Sequence, residues 1–139
     1  MLSAAEKVLK RQSTKMELKK AVSVPFADYQ QLMNGSDAIL DQLYSYTPSM
    51  NSLLAMSKGI IDIGGGEPEN YEILNENELR PIINVLPTEE SVEEKLEELV
   101  VHPEHIPELK QQSIEYVRRH HDYKKVAQQY EAFYRSLLE

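Results

Sequence analysis

Apolar residues recur at two spacings along this 139-residue chain, and the alternation between them sets the expected elements. Ala4, Ala5, Val8 and Leu9 fall on one stripe of a helical repeat, which predicts a helix over Ser3–Gln12. Met16–Val22 reads as a strand. Pro25 and Phe26 break the pattern, and Ala27–Asn34 reads as a short helix closed by Asn34-Gly35. Ala38–Tyr44 predicts a second strand, after which Ser49 caps a helix running to about Ser57 and stopped at Lys58-Gly59. Ile60–Ile63 is a short apolar strand ended by Gly64-Gly65-Gly66, and Pro68 suits the first turn of a helix to Leu74. Ile82–Leu86 predicts a fourth strand, closed by Pro87. From Thr88 onwards the pattern is helical, with Thr88 and Glu90 or Ser91 and Glu94 available as caps.

Strands that alternate with helices at this spacing require crossovers and a parallel sheet. Continuous apolar strands with few polar interruptions fit a sheet covered on both faces. The expected fold is therefore α/β: a three-layer, Rossmann-like parallel sheet of about four strands over residues 1–103, with C-terminal helices over 104–139 packing on it. The chain opens on a helix, whereas a doubly wound sheet opens on a strand and a phosphate-facing turn. A domain trimmed at its front is the simplest reading.

Charge and composition remove some functions. A net charge of −8 argues against nucleic-acid binding, which needs basic clusters to neutralise phosphates. The acidic stretch Glu89–Glu98 holds Val92, Leu96 and Leu99 at helical spacing, which makes it a solvated helix face rather than a tail. No apolar run approaches the roughly 20 residues that span a bilayer, and Met1–Lys7 lacks the apolar core of a signal peptide. Cysteine is absent, which excludes disulfides and thiolate chemistry and fits a reducing compartment. The chain reads as cytoplasmic.

Ligands of open α/β sheets bind beyond the carboxyl ends of the strands, and two segments fall there. The first runs from Ser45 through Tyr46 to Ser52 and leads from a strand into a helix. The backbone amides of Met50, Asn51 and Ser52, with the positive end of the helix dipole behind them, form a diphosphate-sized anion site. Ordinary capping by Ser49 explains the same residues. The second segment is Gly64-Gly65-Gly66-Glu67-Pro68-Glu69-Asn70. Its glycines permit tight turning and close approach of a ligand, and a plain strand-to-helix turn explains them too. The dinucleotide fingerprint fails because its third glycine would fall on Glu69, and the lysine and hydroxyl residue of a phosphate loop are missing.

Other candidates read as structural. Asp62 in an apolar strand either reaches the crevice or marks a strand less buried than its neighbours imply, and the second reading is preferred. His102 and His105, with Glu104 and Glu108, invite a metal reading that His120-His121-Asp122 could extend. Pro103 and Pro107 favour instead a helix boundary with solvent-exposed histidines. Tyr123, Val126, Tyr130, Phe133 and Leu137 form a helical stripe that reads as core.

Leu54-Ala55-Met56-Ser57-Lys58-Gly59-Ile60-Ile61 followed by Gly65-Gly66-Glu67-Pro68-Glu69 resembles the donor-binding signature of GT-B glycosyltransferases of the group 1 type. That signature is a helix ending in "E-A-M-A-x-G", a strand, then "G-G-x-P-E". Phe26–Leu43 is similar to the segment that precedes it, and Ser113–Tyr130 to the C-terminal helices that end these enzymes. The resemblance implies the nucleotide-sugar-binding half of a hexosyltransferase. Ser49, Met50, Asn51 and Ser52 would hold the donor diphosphate, and Gly65, Gly66 and Glu67 would line the crevice beside the sugar. The loop Val22, Ser23, Val24 would approach the nucleotide base. Tyr46 and Leu54 stand where many members carry two glutamates that touch the sugar and the ribose.

The same resemblance implies no obligatory metal and no catalytic residue of the chain's own. The N-terminal acceptor-binding half would be missing, so the chain should not catalyse alone. In this family the last helix crosses back onto the N-terminal domain. Part of the stripe on 123–137 would then be exposed, and Tyr130 or Tyr134 would contact another chain in a dimer. The alternative is a non-catalytic α/β signalling or partner-binding module. A phosphate receiver needs paired acidic residues after its first strand and an aspartate at a strand end, and Asp41 and Asp62 are poorly placed for that.

Overall fold

A computed structural model describes residues 1–138. It contains α1 (Leu2–Arg11), α2 (Phe26–Met33), β1 (Ala38–Leu40), α3 (Met50–Ser57), β2 (Ile61–Gly64), α4 (Pro68–Ile73) and β3 (Ile83–Asn84). Three helices follow: α5 (Glu89–Val101), α6 (Ile106–His120) and α7 (Tyr123–Ser136), with a 3-10 turn over Pro103–His105 between α5 and α6. The sheet has the order β1-β2-β3 and is parallel throughout. Ile39 sits opposite Asp62, and Ile63 pairs with both Leu40 and Ile83. This is the expected Rossmann-like α/β arrangement, with three strands among the described residues rather than four.

The missing strand is Met16–Val22. Met16 and Leu18 rest partly on the core, while Glu17, Lys19 and Lys20 point outward, so the alternation that suggested a strand is real. No neighbour pairs with it. Ser23 then adopts a left-handed conformation (φ 52°), which turns the chain ahead of Pro25. Alternating burial reports one half-covered face and not a hydrogen-bonded ladder. The strands also stop early: β1 ends at Leu40 and not Tyr44, and β3 at Asn84 and not Leu86.

Period-two alternation along β2 divides the core into two layers. Ile61 and Ile63 face α1 and α5, packing with Ala4, Ala5, Val8, Val92, Leu96 and Leu99. On the other side Ile60 meets Ala55 of α3 and Met33 of α2. Tyr116 of α6 completes this layer with Met56, Tyr71 and Ile82. Gly59 (φ +74°) lets the chain turn from α3 into β2, and a Cβ there would lie 3.2 Å from Ile114 of α6.

The acidic face of α5 is not simply solvated. Lys7 bonds Glu89 and Glu93, each at 3.0 Å, and Arg11 bonds Glu93 (3.1 Å) and Glu97 (3.0 Å), tying α5 to α1. These pairs are largely exposed and fix register more than they add stability. The stripe on α7, expected in the core, is exposed: α7 buries none of its residues, and Tyr130, Phe133 and Tyr134 lie at its surface. The periodicity identified an amphipathic helix correctly, but periodicity carries no information about what covers the apolar side.

Candidate functional site

The carboxyl ends of the three strands bring Asp41, Gly64–Gly66 and Asn84 to one rim of the sheet. Asp41 follows β1 directly, and its amide donates to the Ile63 carbonyl at 2.9 Å. Its carboxylate accepts two hydrogen bonds from Ser49, from the amide (2.8 Å) and from the hydroxyl (2.7 Å). The loop between them is thereby closed, and α3 is made to start at the rim. Ser49 is the N-cap, its Oγ accepting the Ser52 amide at 3.1 Å. That commits the Ser52 amide, so of the three expected donors Met50 and Asn51 keep amides for a ligand.

Below this turn, the Ser52 hydroxyl donates to Oδ1 of Asp62 at 3.0 Å. The preferred reading of Asp62 as half-exposed is overturned: both it and Ser52 are fully buried. The face of β2 that Asp62 occupies is covered by α3, and the other carboxylate oxygen has no hydrogen-bond partner there. Burial pushes the Asp62 carboxyl up to about 7; the nearby Asp41 charge adds to this and the Ser52 hydroxyl opposes it.

The three glycines are packed against the protein itself. A Cβ on Gly64 would lie 2.9 Å from the Asp41 Cβ, and one on Gly66 would lie 2.8 Å from Cγ2 of Ile82. On Gly65 it would lie only 1.8 Å from the Ser45 carbonyl oxygen. The two segments singled out in the sequence therefore meet, with the Ser45–Ser49 loop lying on the glycine turn. All three glycines are buried, while Glu67 beside them is half-buried. The Gly66 amide donates to Oδ1 of Asn84 (3.1 Å), which joins the turn to the end of β3.

Tyr46 and Met50 are exposed on this rim. Val22, Ser23 and Val24 lie exposed on the loop into α2, and α2 reaches the rim through Tyr29, whose hydroxyl accepts from the Asn51 side chain at 2.5 Å. On the other side of Gly66 a cavity of about 500 Å³ opens between Pro68, Tyr71, Glu72, Arg80 and Asn84. The Arg80 guanidinium lies 4.3 Å from the centre of the Tyr71 ring and donates to the carbonyls of Glu76 (3.1 Å) and Leu79 (2.7 Å). Glu76 is buried behind it and bonded to Arg119 (3.0 Å) and His120 (2.6 Å) of α6. Burial opposes ionisation of Glu76. The His120 bond, the amides of Leu79 and Glu78 and the Arg119 charge outweigh it and hold the carboxyl down at about 2.

Sequence reasoning missed Asp41, Tyr29, Asn84 and Arg80 as members of this region. Asp41 and Asn84 had a usable signal, because each stands at the carboxyl end of a strand. Tyr29 and Arg80 had none. Of the histidines, His102 and His105 come together with Glu104 away from the rim, whereas His120 belongs to the Glu76 network.

The sequence profile of a family described as glycosyl transferase-like matches residues 10–132. The chain belongs to that family. No curated protein and no solved structure matches it significantly. The span shared with the glycosyl transferase-like family runs from the end of α1 into α7, so it contains every rim element described above. Membership sets aside the phosphate-receiver reading, for which a fully buried Asp62 is in any case unsuited. Among the described residues of this glycosyl transferase-like chain, no helix is long and apolar enough to cross a membrane.

Proposed function

We propose that the chain binds a nucleotide-diphosphate-sugar at the carboxyl rim, as the donor-binding part of a GT-B hexosyltransferase whose acceptor is selected by another domain. The observation that carries this reading is the meeting of the loop that leads into α3 with the glycine turn after β2, where the Ser45 carbonyl lies on Gly65. The amides of Met50 and Asn51 and the α3 dipole offer a fixed positive end to a diphosphate. Tyr46 and Glu67 flank the sugar position, and the 22–24 loop lies toward the base. Donor binding uses no metal. The charged group bonded to the start of α3 is the acidic Asp41, so affinity for an anion is weak. In the intact enzyme α7 faces the acceptor domain; alone, its stripe pairs with a second copy through Tyr130 and Tyr134.

Amide NMR titration with UDP- and GDP-sugars, with and without EDTA, tests this. Saturable shifts at Met50, Asn51 and Gly66, unchanged by the chelator, are expected at millimolar donor. Shifts confined to other parts of the molecule, or none at about 10 mM donor, would refute the assignment.

A further inference from the structure

The corner where α5 meets α6 carries three metal-ligating side chains that the donor site does not use. α5 ends at His102, whose amide still bonds the Glu98 carbonyl at 2.9 Å, and the His105 amide bonds the His102 carbonyl at 3.2 Å. Pro103 stiffens the four-residue connection and Pro107 the first turn of α6, so the backbone positions of His102, Glu104 and His105 are set by two helices and a 3-10 turn. Oε1 of Glu104 lies 3.0 Å from Nδ1 of His102 and 3.9 Å from Nε2 of His105. All three ligand atoms fall within 4.8 Å of one another. A tetrahedral ion with bonds of about 2.0–2.1 Å holds its ligand atoms about 3.4 Å apart. Each pair is therefore within about 1.4 Å of that spacing, and exposed side chains cover such a distance by rotating about χ angles.

We propose that His102, Glu104 and His105 bind one divalent transition-metal ion and clamp the end of α5 to the start of α6. Two imidazoles and one carboxylate select Zn²⁺, Ni²⁺ or Cu²⁺, whereas Mg²⁺ and Ca²⁺ demand all-oxygen shells. Glu98 and Glu108 line, with His102 and His105, a cavity of about 530 Å³ and add negative charge or a fourth ligand. The one lysine on that lining, Lys95, is already paired with Glu98 at 2.9 Å. None of the three ligands belongs to the donor rim: Lys110, in the second turn of α6, bonds Asp37 just before β1 at 2.7 Å, which puts the start of α6 beside the amino ends of the strands, although the cavity that His102 and His105 border reaches Asn84 at the end of β3. The ion is accordingly structural, and the proposal stands independently of donor binding. With three exposed ligands the affinity is micromolar, well short of a closed structural zinc site.

The test is calorimetric titration of the tag-free, chelator-treated chain with ZnCl₂ near neutral pH, alongside NMR of the imidazole nitrogens. One equivalent binds, with shifts at His102 and His105 and none at His120 or His121. His102→Ala and His105→Ala each weaken binding by at least about tenfold, and Glu104→Gln weakens it less. Circular dichroism confirms that these exposed substitutions leave the fold intact. Absence of saturation below about 100 μM Zn²⁺, equal binding of Mg²⁺, or unchanged affinity in the two histidine variants overturns the proposal.

Discussion

The carbonyl oxygen of Ser45 occupies the place that a Cβ on Gly65 would take, so the loop after β1 and the turn after β2 form one packed unit. The obstacle is backbone, which cannot rotate away as a side-chain tip can. Gly65→Ala must therefore displace the whole loop, at about 2 kcal/mol or more. Gly35→Ala is the control: nothing lies within 4 Å of its Cβ, and only its left-handed φ of +78° resists, at about 1 kcal/mol. Urea unfolding of the two variants distinguishes them. Equal costs would mean that the Ser45 loop is not seated on the turn.

Asp62 makes stability fall as pH rises. Its folded-state pKa of about 7 lies above the ordinary aspartate value of 3.8, so the unfolded chain releases this proton first. Stability from this group is full below pH 4 and is lost as pH climbs through about 7. The complete loss is on the order of 4 kcal/mol. Asp62→Asn keeps an oxygen for the Ser52 hydroxyl and removes the titration. The variant is expected to gain on the wild type between pH 5 and 8, as read by urea midpoints at each pH. Parallel pH profiles for the two proteins would contradict it.

Local signals were the ones legible in the sequence. Ser49 and Thr88 each accept a first-turn amide as expected of caps, at 3.1 Å and 3.2 Å, and Pro68 opens α4. These depend on residues three apart and survive any tertiary arrangement. The parallel rule alone puts Ser49 and Gly65 at one rim, because both follow strand ends. What failed depends on distant partners. Nothing within Met16–Val22 says that no strand pairs with it. Asp62 is buried because Ser52, ten residues away, offers it a hydroxyl. The glycine turn was readable both as a ligand cradle and as a plain strand-to-helix turn, and its packing on Ser45 and Ile82 had no signal within the turn itself. Glu76 meets its partners Arg119 and His120 across more than forty residues.

That last network anchors the 76–80 turn to α6, and its carboxylate is almost fully enclosed, with 1% of its side chain exposed. Glu76→Ala leaves His120 and two backbone amides without their acceptor and Arg119 with only Glu78 and Glu115. The expected cost is about 3 kcal/mol. Because the folded carboxyl is held at about 2, below the ordinary glutamate value of 4.5, its contribution is present above pH 4.5 and is lost as pH falls toward 2. Thermal unfolding at pH 7 and pH 3 separates the cases: the variant is much weaker than the wild type at pH 7, and the gap narrows at pH 3. A constant gap would show that side-chain packing, not the charge, explains the loss.

The stripe on α7 discriminates between core and contact surface without reference to any ligand. Tyr130 and Tyr134 stack with ring centres 6.3 Å apart, and each is 59% exposed. Phe133, at 58% exposure, lies beside them. Three neighbouring aromatic rings on one helix are a larger apolar surface than scattered side chains present, and association hides it. Sedimentation of the wild-type chain is expected to show a concentration-dependent dimer, and Tyr130→Ser with Phe133→Ser is expected to return it to monomer. Were these rings core, the pair of substitutions would cost about 3–5 kcal/mol for the phenylalanine alone. Exposed as they are, the monomeric variant should unfold within about 0.5 kcal/mol of the wild type. A wild-type chain that stays monomeric at millimolar concentration would leave α7 with no partner of its own kind, and self-association through this helix would be wrong.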